Sequence, residues 1–205
     1  MQFDFVVIGG GSAGYAAART AVELGARVAI VDKGPLGGLC ILRGCMPTKT
    51  MLRSSDIMSL MRRAREFGLG ASKLKANLAA INDRTNALVK EFADYRIEQL
   101  KSPRFTLLRG HARFESPHRI RVGPKTVEAR SFLISTGSVT SHVAIPGLDE
   151  VGYITSDEAL NVRKLPKSMI TLGGGAVATE LAQFFNRLGT KSTLIQRSNH
   201  ILSAS

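Results

Sequence analysis

Short apolar runs alternate with longer amphipathic stretches along this chain, and the alternation predicts strands and helices in turn. Residues 3–8, Phe-Asp-Phe-Val-Val-Ile, read as a strand whose apolar end suits a buried parallel sheet. Residues 12–24 are Ala-rich, carry Val22 and Leu24 on one face and meet Gly25, which predicts a helix and its stop. Residues 27–31, Arg-Val-Ala-Ile-Val, are the next strand, so the chain opens with a β-α-β unit whose connection is expected to be right-handed. From about 50 to 101 the pattern is helical in two stretches, broken near Phe67-Gly68-Leu69-Gly70. From 104 to 135 it changes to short runs: Phe105–Leu108, Ala112–Phe114, Arg119–Val122, Thr126–Ala129 and Phe132–Ser135. Turn signals at Ser116-Pro117 and Gly123-Pro124 separate them and predict a small β-meander inserted in an α/β domain. Residues 138–168 read as a connector. Then the first pattern returns: a strand at 168–172, a helix opened by Gly173–Gly175 and stopped by Gly189, and a strand at 191–195. The repeat of one β-α-β unit is the main organisational fact.

Composition narrows the class. With 205 residues, 44% hydrophobic, a sizeable core is within reach. No apolar run approaches the roughly 18 to 20 residues of a membrane helix. Met1-Gln2-Phe3-Asp4 lacks the basic segment of a signal peptide, so a cytoplasmic location and no membrane partner are expected. The net charge is +12, but the basic residues are spread out, with only small clusters such as Arg62-Arg63-Ala64-Arg65. Without a binding motif this reads as a solvated basic surface that attracts phosphate-bearing cofactors, and no nucleic-acid partner is expected. The two cysteines, Cys40 and Cys45, lie five apart, a spacing that suits catalysis or metal binding more than a structural staple. A zinc site needs about four ligands. His111, His118, His142 and His200 show no metal spacing, so no metal is expected.

Two glycine turns carry the first candidate chemistry. Gly9-Gly10-Gly11-Ser12-Ala13-Gly14 fits G-x-G-x-x-G between a strand and a helix. Gly9 allows the tight turn, Gly11 lets backbone approach a pyrophosphate, and Gly14 lets the helix pack on the strand. The phosphates would meet the free N–H groups of the helix start, Ser12 and Ala13 included. Asp32 ends the second strand, where a carboxylate binds ribose hydroxyls, and Lys33 follows it. Gly173-Gly174-Gly175-Ala176-Val177-Ala178-Thr179-Glu180 repeats the turn, with Ala178 in the third glycine position. Its second strand ends Leu194-Ile195-Gln196-Arg197. No carboxylate stands there to accept a ribose 2′-hydroxyl, and Arg197 can pair with a 2′-phosphate, so NADP(H) is favoured over NAD(H).

The second candidate is Gly37-Gly38-Leu39-Cys40-Ile41-Leu42-Arg43-Gly44-Cys45-Met46-Pro47-Thr48-Lys49. Residues five apart in a regular helix have Cα atoms roughly 8 to 9 Å apart. A disulfide tolerates about 7 Å. A bridge between these cysteines therefore requires a distorted helix, which Gly44 and Pro47 can supply. The alternative is two buried thiols at helical spacing.

This segment resembles the signature of the class I pyridine-nucleotide disulfide oxidoreductases, the family of dihydrolipoamide dehydrogenase, glutathione reductase and mercuric reductase. The resemblance covers the whole chain. It implies a Rossmann-like FAD-binding domain over 1–147, carrying the meander, and the start of a second Rossmann-like, NAD(P)-binding domain over 148–205. It implies electron flow between NAD(P)H, FAD and a redox-active Cys40–Cys45 pair. In that comparison Cys45 lies against the flavin, Cys40 exchanges with substrate, and Lys49 sits near the flavin and pairs with Glu180. Asp32 stands where the family usually has Glu, and Gly38 is counted among the cofactor-binding residues. His111-Ala112 resembles the segment at the FAD adenine, and Ser135-Thr136-Gly137 resembles the turn beside the FAD. Gly173, Gly175, Ala176 and Val177 fall at the nicotinamide nucleotide, with Ala176 where some members have a gating tyrosine. Arg197 falls where the NADPH-using glutathione reductases have an Arg, and their second Arg is Ser203 here. Members run to more than twice this length, so a homodimerisation domain is expected to be absent and the piece alone to bind FAD poorly and to have no turnover. A lipoyl or small-molecule disulfide is the expected substrate class. The competing expectation is a non-catalytic FAD- or nucleotide-binding module.

Overall fold

A computed structural model describes residues 1–203. The chain forms two compact units, Met1–Leu42 with Val89–Val139, and Arg43–Leu88 with Thr140–Ser205.

The first unit is built on a six-stranded sheet. Its strands are β1 (Gln2–Ile8), β2 (Val28–Asp32), β3 (Thr106–Arg109), β4 (Ala112–Ser116), β5 (Arg119–Val122) and β6 (Lys125–Ile134), in the order β3-β2-β1-β6-β5-β4. β1, β2, β3 and β6 run parallel, and β5 pairs antiparallel with β4 and β6. The apolar run of β1 and β2 is continuous because both of its faces are covered. Val7 and Ile30 pack with Tyr15, Ala18, Leu100 and Phe105. Val6, Ala29 and Val31 pack with Leu108, Ile120, Val122 and Val127. α1 (Ser12–Glu23) supplies Tyr15 and Ala18 and ends before Gly25, whose φ of +85° is open to glycine. The predicted meander is present and continues the parallel sheet. The expected runs Thr126–Ala129 and Phe132–Ser135 form one strand, β6, whose first part pairs with β5 and whose second part pairs with β1.

The second unit is mainly helical. α2 (Gly38–Arg43) closes the first unit's opening segment, and α3 (Cys45–Arg62) opens the second. The helical region thus begins at Cys45 rather than near 50. Its break is wider than Phe67–Gly70: a single 3-10 turn at Ala64–Phe67 ends on left-handed Gly68, and α4 (Leu78–Leu100) starts only at Leu78 and belongs to the first unit from Val89 on. After α5 (Leu148–Val151) and α6 (Ser156–Ala159) come β7 (Ser168–Leu172), α7 (Ala176–Leu188) and β8 (Lys191–Ile195), with β7 and β8 parallel. The boundaries of the second β-α-β unit match the pattern in the sequence. α7 ends where Gly189, at φ +117°, donates to Asn186 O while Thr190 N–H reaches Phe185 O, a Schellman stop. Phe184 and Phe185 are fully buried and meet edge to face at 5.0 Å, among Met51, Met58, Leu160, Leu181 and Leu188. Truncating either ring costs about 3–5 kcal/mol.

The connector also holds two short helices that apolar patterning does not show. One has a sequence signal, Thr155-x-x-Glu158, which forms a capping box. The Thr155 hydroxyl, and then its backbone N–H, hold the Glu158 carboxyl below its ordinary value of 4.5. A depressed carboxylate contributes stability that is full above its unfolded value and is lost as pH falls through the folded one. The window therefore lies below about pH 4.5. In Thr155→Val the Glu158 titration, followed by carboxyl carbon NMR, is expected to move back up toward that value.

Candidate functional site

In the first unit the chain leaves β1 through Gly9, at φ +105°, whose N–H donates to Val31 O at 2.8 Å. A side chain on Gly9 would overlap the Ser135 carbonyl. On Gly14 it would overlap the Gly9 carbonyl and come within 2.9 Å of Val7 Cγ1. Both positions require glycine because α1, the turn and the end of β6 meet there. Gly11 caps α1 in an extended conformation, with no side-chain cap and no acidic residue in the first turn. The amides of Ser12 and Ala13 therefore open the helix dipole to an anion. Gly38, at φ +76°, packs its backbone on Gly11, and a side chain on Gly38 would reach the Gly11 Cα.

Asp32 closes this turn. One carboxylate oxygen accepts from Gly10 N–H at 2.7 Å and the other from Gly34 N–H at 2.6 Å. Each oxygen keeps a further lone pair for a hydroxyl donor. Gly110 N–H donates to Asp32 O at 3.1 Å, which brings His111 and Ala112 to the same strand end. The Ser135 hydroxyl lies 3.1 Å from Ile8 O and 3.0 Å from Gly9 O, and Thr136 and Gly137 follow it. The side chains of Lys33 and His111 are exposed, so backbone, not side chain, ties them in. Three contributors escaped the sequence reading: Gly10, Gly34 and Arg109, whose guanidinium lies against Gly34 and reaches Lys33 O at 3.4 Å. Gly10 is visible as the middle residue of the glycine triplet, but its role, a backbone N–H given to Asp32, has no signal in residue type. Arg109 depends on the pairing of β2 with β3, which local pattern does not give.

The motif around the cysteines breaks at Gly44, between α2 and α3. Gly44 takes φ −126° and ψ −116°, and Pro47 sits in the first turn of α3, where its missing N–H leaves no intrahelical bond unmade. Cys40 is half-buried in α2, and Cys45 is exposed as the first residue of α3. The Gly44 cap has no side-chain bond and the first turn has no acidic residue, so the positive end of the helix falls at Cys45. Thr48 turns its hydroxyl back to Gly44 O at 2.7 Å. Lys49, one turn beyond Cys45, forms an ion pair with Glu180 of α7.

The second glycine turn repeats the first. Gly173 N–H donates to Ile195 O at 2.8 Å, as Gly9 does to Val31 O. This match sets Gln196 at the place of Asp32 and Arg197 at the place of Lys33. The Gln196 side-chain oxygen fills the space a side chain on Gly174 would need. Gly175 caps α7 as Gly11 caps α1, again with no side-chain cap and no acidic residue in the first turn, which Ala176 and Val177 begin. Ala178 is accommodated where the first unit needs Gly14: its Cβ lies 3.9 Å from the Cβ position of Gly173. Arg197 is exposed. Among the described residues no group of three or more His, Cys, Asp or Glu side chains could hold a metal, and no helix is long and apolar enough to cross a membrane.

These features find counterparts in known proteins. A family model described as pyridine nucleotide-disulphide oxidoreductase matches residues 3–205. Mercuric reductase of Staphylococcus aureus is 38% identical over 201 residues, covering 98% of this chain and 37% of that protein. Dihydrolipoyl dehydrogenase of Acholeplasma laidlawii is 32% identical over 206 residues, covering 98% and 61%. Dihydrolipoyl dehydrogenase of Thermus scotoductus is 37% identical over 204 residues, covering 98% and 44%. The chain thus spans about a third of the mercuric reductases and from 44% to 61% of these dehydrogenases. With a family model matched from its third residue to its last, this α/β chain belongs to the pyridine nucleotide-disulphide oxidoreductase family.

Proposed function

We propose that this chain carries the FAD site, the redox cysteine pair and part of the nicotinamide-nucleotide site of a cytoplasmic, dimeric disulfide oxidoreductase. The FAD-binding segment is 1–147 and the nucleotide-binding segment 148–205. The observation that carries the reading is the helix break at Gly44, which leaves Cys45 at the start of α3 and frees the pair from regular helical spacing.

The residues fit the two nucleotides. The uncapped start of α1, with Gly9, Gly11, Ser12, Ala13 and Gly14, suits a pyrophosphate. Asp32 retains acceptor capacity for ribose hydroxyls, and Gly38, Lys49, His111, Ala112, Ser135, Thr136 and Gly137 complete the set. When bound, FAD supplies two-electron transfer between a nicotinamide and a thiol pair. The uncapped start of α7, with Gly173, Gly175, Ala176, Val177 and Glu180, suits the nicotinamide nucleotide.

The chemistry assigned to the chain's own residues is thiol–disulfide exchange. The Cys40 thiolate attacks one sulfur of a disulfide substrate, breaks its S–S bond, releases the other sulfur as a thiolate and forms a mixed disulfide. The Cys45 thiolate then attacks Cys40 Sγ, releases the second substrate sulfur and closes the Cys40–Cys45 disulfide. Two electrons pass from the pair to the substrate, and the two thiol protons end on the product sulfurs. Run backwards, the pair accepts two electrons from a dithiol. Lys49, held by Glu180, adds positive charge one turn beyond Cys45. A lipoyl-type dithiol is the first substrate class. The mercuric reductases among the relatives bring in mercuric ion as the second, since a thiolate pair is a soft ligand set.

NADP(H) is favoured because Gln196 puts a neutral amide where Asp32 stands in the first unit, with Arg197 beside it. Arg197→Ala is expected to weaken NADPH at least about tenfold, the loss of one charge-assisted contact, and to leave NADH nearly unchanged. Equilibrium binding of each nucleotide checks this. Equal weakening of both would remove the 2′-phosphate role. For the function itself, the FAD-loaded chain is mixed anaerobically with dihydrolipoamide. Flavin bleaching that requires both Cys40 and Cys45 supports the reading, and bleaching that survives loss of both rejects it.

A further inference from the structure

α3 and α7 belong to the same unit and are joined by two ion pairs. Lys49 pairs with Glu180, and Asp56 pairs with Arg187. Both pairs join residues 131 positions apart. The helices therefore run in the same direction and stay in step over two turns, about 10 Å. The polarity is opposite: α3 supplies the cation in the first pair and the anion in the second.

The repeating part of the apolar seam does not set this register alone. Met51 and Met58 on α3 repeat at seven residues, as do Leu181 and Leu188 on α7, and all four are buried in one cluster. Phe184 and Phe185, buried in the same cluster, have no such repeat and resist a slip, but the seven-residue repeat itself accepts one of two turns. The charges do not. A two-turn slip in one sense sets Lys49 against Arg187, and in the other sets Asp56 against Glu180. A one-turn slip leaves both pairs unmade. The side chains are partly exposed, 58% and 30% for Lys49 and Glu180 and 31% and 43% for Arg187 and Asp56, so these pairs add little stability. Their effect is on which alignment is chosen.

We infer that Asp56 and Arg187 are positioning residues: their pair fixes the axial register of α3 on α7 and so keeps Lys49 on Glu180. The same offset sets Cys45, the first residue of α3, level with Ala176, the first residue of α7. On the function proposed above, the pair thus aligns the start of the thiol-bearing helix with the start of the nucleotide-binding helix.

The test needs neither flavin nor nucleotide, so its failure and the failure of the proposed function are separable. Lys49→Met and Glu180→Gln, singly and together, give the coupling between positions 49 and 180 from urea unfolding of the full chain. The coupling is measured in the native background, in Asp56→Asn and in the charge-preserving swap Asp56→Glu with Arg187→Lys. The expected result is a measurable native coupling constant that falls at least threefold in Asp56→Asn and returns in the swap. A merely structural pair gives additive losses, with stability lowered and the coupling unchanged, and that result overturns the inference. So does the absence of coupling in the native background. If Asp56→Asn does not fold, the swap decides: a folded swap with the coupling kept supports the inference, and a swap that fails to fold or loses the coupling overturns it.

Discussion

Cys45→Ser is expected to leave FAD binding intact and to slow electron transfer from dihydrolipoamide to bound FAD by at least about 10³-fold, measured in a single anaerobic turnover. Cys45 begins α3 at an uncapped helix end, with Lys49 one turn away and paired to Glu180. Serine keeps the shape but offers neither a thiolate nor a sulfur that can enter a disulfide. Cys40→Ser separates the two roles. It is expected to block exchange with the dithiol to a similar extent while keeping the interaction of Cys45 with the flavin. Equal losses of every flavin signal in both variants would mean that the cysteines serve the fold and not the chemistry.

The second large effect is expected at Gly14. A methyl group there overlaps the Gly9 carbonyl and crowds Val7 Cγ1 and the Ser135 hydroxyl. None of these can yield cheaply, because Gly9 is held by Val31 O and Ser135 by Ile8 O. Gly14→Ala should cost about 2–3 kcal/mol of overpacking. It should also push α1 off the turn and weaken FAD by roughly 30- to 150-fold, read by titration of flavin fluorescence. Ala178→Gly, at the matching position of the second turn, is the control: nothing there demands glycine, and its effect on the nucleotide should be within a few tenths of a kcal/mol of the usual cost of glycine in a helix.

Both β-α-β units were legible because their signals are local. β1 and β2 carry apolar runs, β7 and β8 are five-residue stretches with Ile, Leu and Thr, the helices stop at Gly25 and Gly189, and the glycine turns lead from strand to helix. The meander was legible as turns and alternating runs. Its merger into β6 was not, because that depends on which strand pairs with the second half of the run, and β1 lies far back in the sequence. The capping box at Thr155 and Glu158 was visible in the sequence but lies in a stretch whose punctuation suggests only a connector. At the site, glycines and cysteines declared themselves by type and spacing. The Lys49–Glu180 pair followed only from the resemblance. Asp56 and Arg187 were hidden among many charged residues, although each lies seven residues past a member of the predicted pair. Gly10 and Gly34 act through backbone N–H groups, which no residue type advertises.

On the proposed function, bound FAD and the thiol of Cys45 exchange electrons. The most direct measurement is anaerobic two-electron reduction of the FAD-loaded chain, followed by visible absorbance, in the native protein and in Cys45→Ser. A long-wavelength charge-transfer band is expected to develop in the native protein and to be missing from the variant. Bleaching without that band in the native protein, or a band that persists in Cys45→Ser, would contradict that exchange.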